Sequence, residues 1–338
     1  MKKLGVIILN WNGRGLLEKF IPAASKFTIS DQADLIVADN GSTDDSVEWL
    51  RRNHPGVRII SFEKNHGFAE GYNRAIELAE YEYVTLLNSD VEVTEGWWQP
   101  ILSFLENNPD VGAVQPKILS YSDKSSFEYA GAAGGYLDSL GYPYCRGRLF
   151  DIVEKDNGQY DGPPADVAWA SGACLTMPRE VYRRLGGLDP EFFAHMEEID
   201  LCWRMQLAGW RVRIVPQSAV WHLGGGTLPV DSPNKIFFNH RNNLAMLFKC
   251  AAPGQRLVVA LVRPALDLLA ALSYLAQGHW SCFCAVFRAW RDFLKWHPAL
   301  RAKRRAVRGS RAGSACGIYR GSLLLRYFFG RRTFGNMM

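Results

Sequence analysis

The triplet Asn88-Ser89-Asp90 follows an apolar run at residues 84–87, which reads as a buried strand. A hydrophobic core rejects three small polar residues in succession. In an open α/β sheet, ligands gather outside the carboxyl ends of the strands. A carboxylate there can hold a divalent cation, and the cation can hold a diphosphate. Asp90 is the only carboxylate of the triplet and so the first metal-ligand candidate. His222, at another strand end before a run of glycines, is the second. Asp39 also closes a strand and can accept hydrogen bonds from a base or a ribose. Asn65, Gly67, Gly71 and Asn73 form a Gly- and Asn-rich stretch that lets the backbone approach a ligand closely. Turn chemistry accounts for any one of these alone, because Asp, Asn and Gly dominate turns.

A second group is acidic: Asp189, Glu197, Glu198 and Asp200. Acids at a helix start are favoured by the macrodipole, which explains one of them. Three within four residues exceed what capping requires. A carboxylate beside a hydroxyl acceptor can act as general base, a contribution of about 10²–10⁴-fold. No Gly-x-Gly-x-x-Gly follows the first strand and no Gly-x-x-x-x-Gly-Lys-[Ser/Thr] occurs anywhere, so dinucleotide and P-loop readings lack their main sign.

The elements that must position these residues alternate. Residues 5–9, 35–38, 57–62 and 84–87 read as strands, and residues 16–26, 46–53 and 72–80 as helices, which argues for a doubly wound sheet. Three of the four strands end in Asn or Asp at the same edge. A helix over 96–107 and a strand over 111–118 extend the sheet. Residues 120–165 show no sustained period and read as a loop region over the site. Order returns at 167–178, followed by helices at 179–185 and 197–208 and strands at 211–215 and 219–221.

Hydrophobic residues at 48% and charged residues at 22% of 338 describe a globular chain with ample material for a core. The net charge of +5 is uneven: residues 301–338 hold ten Arg or Lys and no acid, leaving −5 for the remainder. A basic tail points to an anionic partner, and lipid head groups are the reading adopted rather than nucleic acid. Residues 257–276 are markedly apolar but interrupted by Arg263, Pro264 and Asp267, and residues 280–296 mix aromatics with Arg and Lys. That pattern fits helices lying in a membrane interface better than a span. Seven scattered cysteines without a Cys-x-x-Cys pair fit a reducing compartment. The six apolar residues after Met-Lys-Lys fall short of a signal peptide's ~7–15. A cytoplasmic protein, peripheral on the cytoplasmic face of the inner membrane, is the expectation.

The motifs in order are Val6-Ile7-Ile8-Leu9-Asn10-Trp11-Asn12, Asp39-Asn40-Gly41-Ser42-Thr43-Asp44, Asn65-His66-Gly67-Phe68-Ala69, Leu87-Asn88-Ser89-Asp90, Ser171-Gly172-Ala173-Cys174, Gly187-Leu188-Asp189 and Glu197-Glu198-Ile199-Asp200-Leu201-Cys202-Trp203-Arg204. Over residues 4–248 this series resembles the inverting family 2 glycosyltransferases of the GT-A fold, especially the rhamnosyltransferase-like branch of bacterial polysaccharide assembly. The resemblance implies a nucleotide-diphosphate sugar as donor and a glycan or lipid-linked hydroxyl as acceptor, with rhamnose among the sugars. It places Asp39 on the nucleoside, the Asn65–Gly67 loop around it, and Asn10, Asn12, Asn73 and Asn88 in the donor pocket. Asp90 matches the last position of the family's Asp-x-Asp motif, with Asn88 at the first, and His222 matches a later metal-binding His. The implied metal is Mg²⁺ or Mn²⁺. Glu198 stands at the Asp position of the family's Glu-Asp pair, which usually holds the base, and Glu197 and Asp200 remain alternatives. The expected organisation is a GT-A catalytic domain at residues 1–248 and a helical, membrane-associating segment with a basic tail at 249–338. A nucleotidyltransferase and a non-catalytic membrane-binding protein are the competing readings.

Overall fold

The computed structural model describes residues 2–224, 232–330 and 333–334. It opens with β1 (Leu4–Asn10), α1 (Arg14–Thr28), β2 (Ala33–Asp39), α2 (Ser46–Asn53), β3 (Arg58–Ser61), α3 (Gly67–Leu78) and β4 (Tyr83–Leu87). The apolar runs of β1, β2 and β4 are buried on both faces, as parallel strands covered by helices must be. Leu17, Phe20, Ile21 and Ala24 give α1 its buried stripe at helical spacing. β1 pairs in parallel with both β2 and β4, and the register sets Asn10 opposite Asp39. The polar strand ends therefore share one edge.

Next come β5 (Val91–Glu92), α4 (Gln99–Asn107) and β6 (Val111–Ser120), then four short strands: β7 (Gly135–Asp138), β8 (Pro143–Cys145), β9 (Arg148–Leu149) and β10 (Ile152–Val153). β11 (Ala165–Asp166), β12 (Cys174–Pro178), α5 (Arg179–Arg184), α6 (Glu197–Leu207) and β13 (Arg211–His222) follow. The main sheet runs β11-β13-β6-β12-β4-β1-β2-β3, with β5 added beside β13. It is mixed: β12 is antiparallel to β4 and β6, while β13 is parallel to β6.

Two expectations are revised here. The region 120–165 carries a second sheet, ordered β10-β9-β8-β7-β14, in which the last strand is β14 (Ile318–Tyr319). Strands of two to four residues are too short to show alternation in sequence. Helix α3 starts at Gly67 instead of residue 72, because Asn65 Oδ1 accepts Gly67 N–H at 2.8 Å and settles its first turn.

The C-terminal helices are α7 (Pro233–Cys250), α8 (Pro253–Ala276), α9 (Trp280–Gly309) and α10 (Leu323–Phe328). The division at 248/249 falls within the last turn of α7, and no linker separates the two parts. Residues 301–309 continue α9, so this stretch of the basic tail is not a free extension. Lys303 pairs with Asp189 and Glu191, at 2.6 and 2.7 Å. Arg304 is buried and donates to the carbonyls of Phe248, Lys249 and Ala251 at the end of α7. Arg331 and Arg332 of the tail, and residues 225–231 of the Gly-rich loop, lie outside the described residues.

Helix α8 has its polarity inverted for a helix on a protein surface. Arg263 and Asp267 are buried, bound to each other at 3.3 Å and to Asn243 and Trp290. Leu257, Leu261, Leu269 and Leu272 face outward, Leu261 at 72% exposure. Among the described residues α8 is the one helix long and apolar enough to cross a membrane, by length and composition.

Candidate functional site

Three loops meet at the carboxyl edge of β1, β2 and β3. Asp39 is buried and accepts hydrogen bonds from Asn10 Nδ2 and Ser42 N–H, each at 3.0 Å. Asn12, at φ 49°, accepts Thr43 N–H at 2.7 Å and so ties the loop after β1 to the loop after β2. The Asn65 loop joins them through Asn40, whose amide donates to Asn65 Oδ1 and the Gly67 carbonyl and whose oxygen accepts His66 N–H. Gly67 takes φ +78°, and a Cβ there would lie 2.7 Å from the Phe193 ring, so the position admits only glycine. Asn10, Asn12, Asp39, Asn65 and Gly67 therefore form one connected cradle.

Asn73 does not join it. Its amide donates to the Leu188 carbonyl and its oxygen accepts Leu188 N–H and the Tyr182 hydroxyl, which fixes the turn before Asp189. It borders a surface cavity of about 560 Å³ shared with Glu77, Glu180, Arg183 and Gly187, apart from the cradle.

Asp90 and His222 come together through a short pairing. β5 lies antiparallel to the end of β13, with Val91 opposite His222, and Leu223 N–H donates to the Asp90 carbonyl at 3.0 Å. Asp90 Oδ1 and His222 Nε2 are 3.1 Å apart, and the Asn88 amide is 3.5 Å from the same nitrogen. Cis ligands on an octahedral ion with bonds of about 2.1 Å stand about 3 Å apart, so this edge fits a divalent cation. Behind His222, Glu128 approaches Nδ1 at 3.4 Å, and Nδ1 has no hydrogen-bond partner. Burial pushes the imidazole toward its neutral form, but the two carboxylates outweigh it and raise its pKa to about 10. A bound cation would have to displace the proton that these carboxylates hold on the ring, and Glu128 is then the kind of outer carboxylate a ligating His commonly has. Sequence reasoning missed Glu128 because it sits in the stretch without a period.

The acidic cluster separates into distinct roles. Asp200 is fully buried and paired with Arg204 and Lys249, each at 2.8 Å. Asp189 is held by Lys249 and Lys303, each at 2.6 Å; burial opposes its charge, but these two cations bring its pKa down to about 2. Ion-paired carboxylates of this kind are structural. Glu197 and Glu198 differ: Oε2 of each is buried and without a hydrogen-bond partner. Burial raises the Glu198 pKa to about 7, and burial with the neighbouring Glu198 charge raises that of Glu197 well above the usual range. Glu198 is half-buried, whereas Glu197 is closed off. A carboxyl poised near 7 suits a general base.

One dipeptide links base and metal side. Ala173 O accepts Asn88 N–H at 3.0 Å, and a Cβ on Gly172 would lie 3.7 Å from both Glu198 Cβ and the tip of Phe68. Glu198, the Asn65–Phe68 loop and the Asn88–Asp90 strand end are thus neighbours around Gly172-Ala173. Sequence reasoning also missed Arg241, Asn242 and Lys249. All three are buried polar residues of α7, where a polar residue in a mixed helix gives no signal of its own.

The family model described as glycosyl transferase family 2 matches residues 5–156. The N-acetylglucosaminyl-diphospho-decaprenol L-rhamnosyltransferase of Mycobacterium tuberculosis is 27% identical over 262 residues, which cover 72% of this chain and 83% of that protein. The crystal structure of GalNAc-T7 with UDP, GalNAc and Mn²⁺ superposes with a TM-score of 0.56 at 16% identity, covering 74% of this chain and 48% of that one. This chain thus spans about half of that structure. The mannosyltransferase PcManGT from Pyrobaculum calidifontis, in complex with GDP-Man and Mn²⁺, gives 0.51 at 17% identity over 91% and 86% of the two chains. At these identities the structural likeness establishes the fold. Residues 5–156 match glycosyl transferase family 2, and the chain has the GT-A fold of these glycosyltransferase structures.

Proposed function

We propose that the protein transfers a sugar from a nucleotide-diphosphate donor to a hydroxyl of a lipid-linked or polysaccharide acceptor, with inversion at the anomeric carbon. The carrying observation is that Glu198 lies beside Gly172, whose neighbour Ala173 accepts the Asn88 N–H of the strand end that leads to Asp90. Asp39 and the Asn65–Gly67 loop hold the nucleoside, with Asn10 and Asn12 bracing them. Asp90 and His222 would hold a divalent cation. No cluster of three metal-ligating side chains occurs among the described residues, so the diphosphate has to complete the ion's shell. When bound, the ion supplies Lewis-acid stabilisation of the departing diphosphate. Glu198 takes the acceptor proton as the acceptor oxygen attacks, while burial and the adjacent Glu198 charge push Glu197 toward its neutral form.

The rhamnosyltransferase relative makes a rhamnosyl donor the first to test. Free nucleoside diphosphate as product is the expected result, and pyrophosphate would instead establish a nucleotidyltransferase. Asp90→Ala should abolish transfer and weaken Mn²⁺-dependent binding of the nucleoside diphosphate, with the melting temperature little changed. Normal turnover of that variant under saturating metal would remove Asp90 from the site.

We further propose that residues 249–338 seat the enzyme on the cytoplasmic face of the membrane, so the division at 248 is one of roles. Arg263 and Asp267 turn inward, which leaves the Leu257, Leu261, Leu269 and Leu272 face of α8 for the acyl boundary. From Pro253 to Gly330 there are thirteen Lys or Arg and two acids, Asp267 and Asp292. Each exposed base near an anionic surface adds about 1 kcal/mol of attraction. The double variant Leu261→Glu, Leu269→Glu is expected to lose flotation with anionic vesicles while keeping its affinity for the nucleoside diphosphate. Undiminished flotation would exclude this face.

A further inference from the structure

We propose that Asn242 is a positioning residue for the transfer step: its side-chain amide fixes the strap at residues 192–196, which sets where Glu197 and Glu198 enter α6. The inference rests on the reading of Glu198 as base.

Three non-glycine residues of the strap have positive φ: Phe193 at 65°, His195 at 68° and Met196 at 71°. L-residues adopt this region singly and at a cost, and a run of them persists only where the surroundings over-determine it. The source of that constraint is α7. Asn242 is fully buried, and its Nδ2 donates to the carbonyls of Phe192, Ala194 and His195 at 3.0, 2.8 and 2.8 Å. Two N–H groups serve three acceptors, so one is shared. Arg241 Nε donates to Asn242 Oδ1 at 3.0 Å, which orients the amide, and Nη2 of the same arginine donates to the Glu191 and Phe192 carbonyls.

On its other side the strap touches the donor cradle. The Phe193 carbonyl accepts Phe68 N–H at 2.9 Å, and the Phe193 ring packs on Gly67 and stacks on Phe238. Its last residue, Met196, is the N-cap of α6, and its carbonyl accepts Asp200 N–H at 2.9 Å. A strap held at one end by the cradle and at the other by the base helix fixes the distance between them. Without the amide, the Ala194 and His195 carbonyls lose their donor, the Phe192 carbonyl is left to Arg241, and the left-handed residues can relax, which shifts Glu198 relative to the donor. Asn242 touches neither carboxylate, so it acts through the strap.

The test uses the full chain with Asn242→Asp, which is nearly isosteric but lacks the donors, and Asn242→Ser, which keeps one. For Asn242→Asp, kcat is expected to fall at least tenfold. Calorimetric affinity for the nucleoside diphosphate with Mn²⁺ should stay within about twofold, because the Asn65–Gly67 loop keeps its own bonds to Asn40. The rising limb of the kcat–pH profile should move to lower pH as Glu198 becomes hydrated, and Asn242→Ser should fall between. Unchanged kcat with a lowered melting temperature would overturn the proposal. So would an equal loss of nucleotide affinity, or failure of both variants to fold. Glu198→Gln is run alongside: full activity there would instead remove the base assignment.

Discussion

Glu198→Gln is expected to lower kcat by about 10²–10⁴-fold, the usual contribution of a positioned general base, while nucleoside-diphosphate affinity stays unchanged. Gln keeps the shape of the side chain and removes its basicity, so the loss falls on the chemical step. The wild-type pH profile carries a second signature. Burial raises the Glu198 carboxyl to about 7, far from the 4.5 of a free glutamate. A base works only when ionised, so kcat should climb with pH through about 7 and level off above it. In Glu198→Gln that limb should disappear. A Gln variant as active as wild type would shift the role to Glu197, and a limb near 4.5 would exclude both buried carboxyls. Asp200 is a weaker alternative, because Arg204 and Lys249 already hold both of its oxygens.

The second large effect concerns folding. Lys249→Met is expected to destabilise the protein by about 3–5 kcal/mol, read from urea unfolding at neutral pH. Lys249 is buried between Asp189 and Asp200, and these belong to an alternating series: Arg204, Asp200, Lys249, Asp189, Lys303, Glu191. Removing the central cation leaves Asp200 with Arg204 alone and Asp189 with the partly exposed Lys303. The sign with pH follows from Asp189, whose folded pKa of about 2 lies below the ordinary 3.8. Its stabilisation is present above 3.8 and lost as pH falls through about 2. The gap between wild type and Lys249→Met should therefore narrow in acid. An unchanged urea midpoint at pH 7 would show that the series does not hold α6 in place.

The clustering of polar strand ends was legible in sequence because it obeys a local rule: an apolar run of four or five residues, then a small polar residue, repeated strand after strand. Asp39, Asp90 and Asn10 follow from that rule, and the register of β1 with β2 places two of them opposite each other. Asn73 instead binds Leu188 and Tyr182, because a helix turns its faces and only half of a Gly- and Asn-rich stretch can face the cradle. Among the acids, type and spacing did not distinguish a base from an ion pair. Lys249 and Lys303, 49 and more residues further along, decide that question, and their contribution is tertiary. The α8 helix shows a related limit. Its charges at 263 and 267 looked like interruptions of an apolar helix, whereas they are its inward face.

Strand β14 carries a consequence for how the chain is made. It pairs with β7 across about 180 residues of sequence, and Asp138 also accepts the Leu323 N–H. At translation rates of about 5–20 residues per second, roughly 10–40 s separate the synthesis of the two strands. The edge of the second sheet stays open through that interval, with its backbone donors and acceptors unpaired. A chain halted before residue 318 would therefore carry all the acidic residues and both metal-ligand candidates, yet leave a strand edge exposed to other nascent chains. Closing the second sheet waits on residues 318–323, which are made long after the strand they pair with.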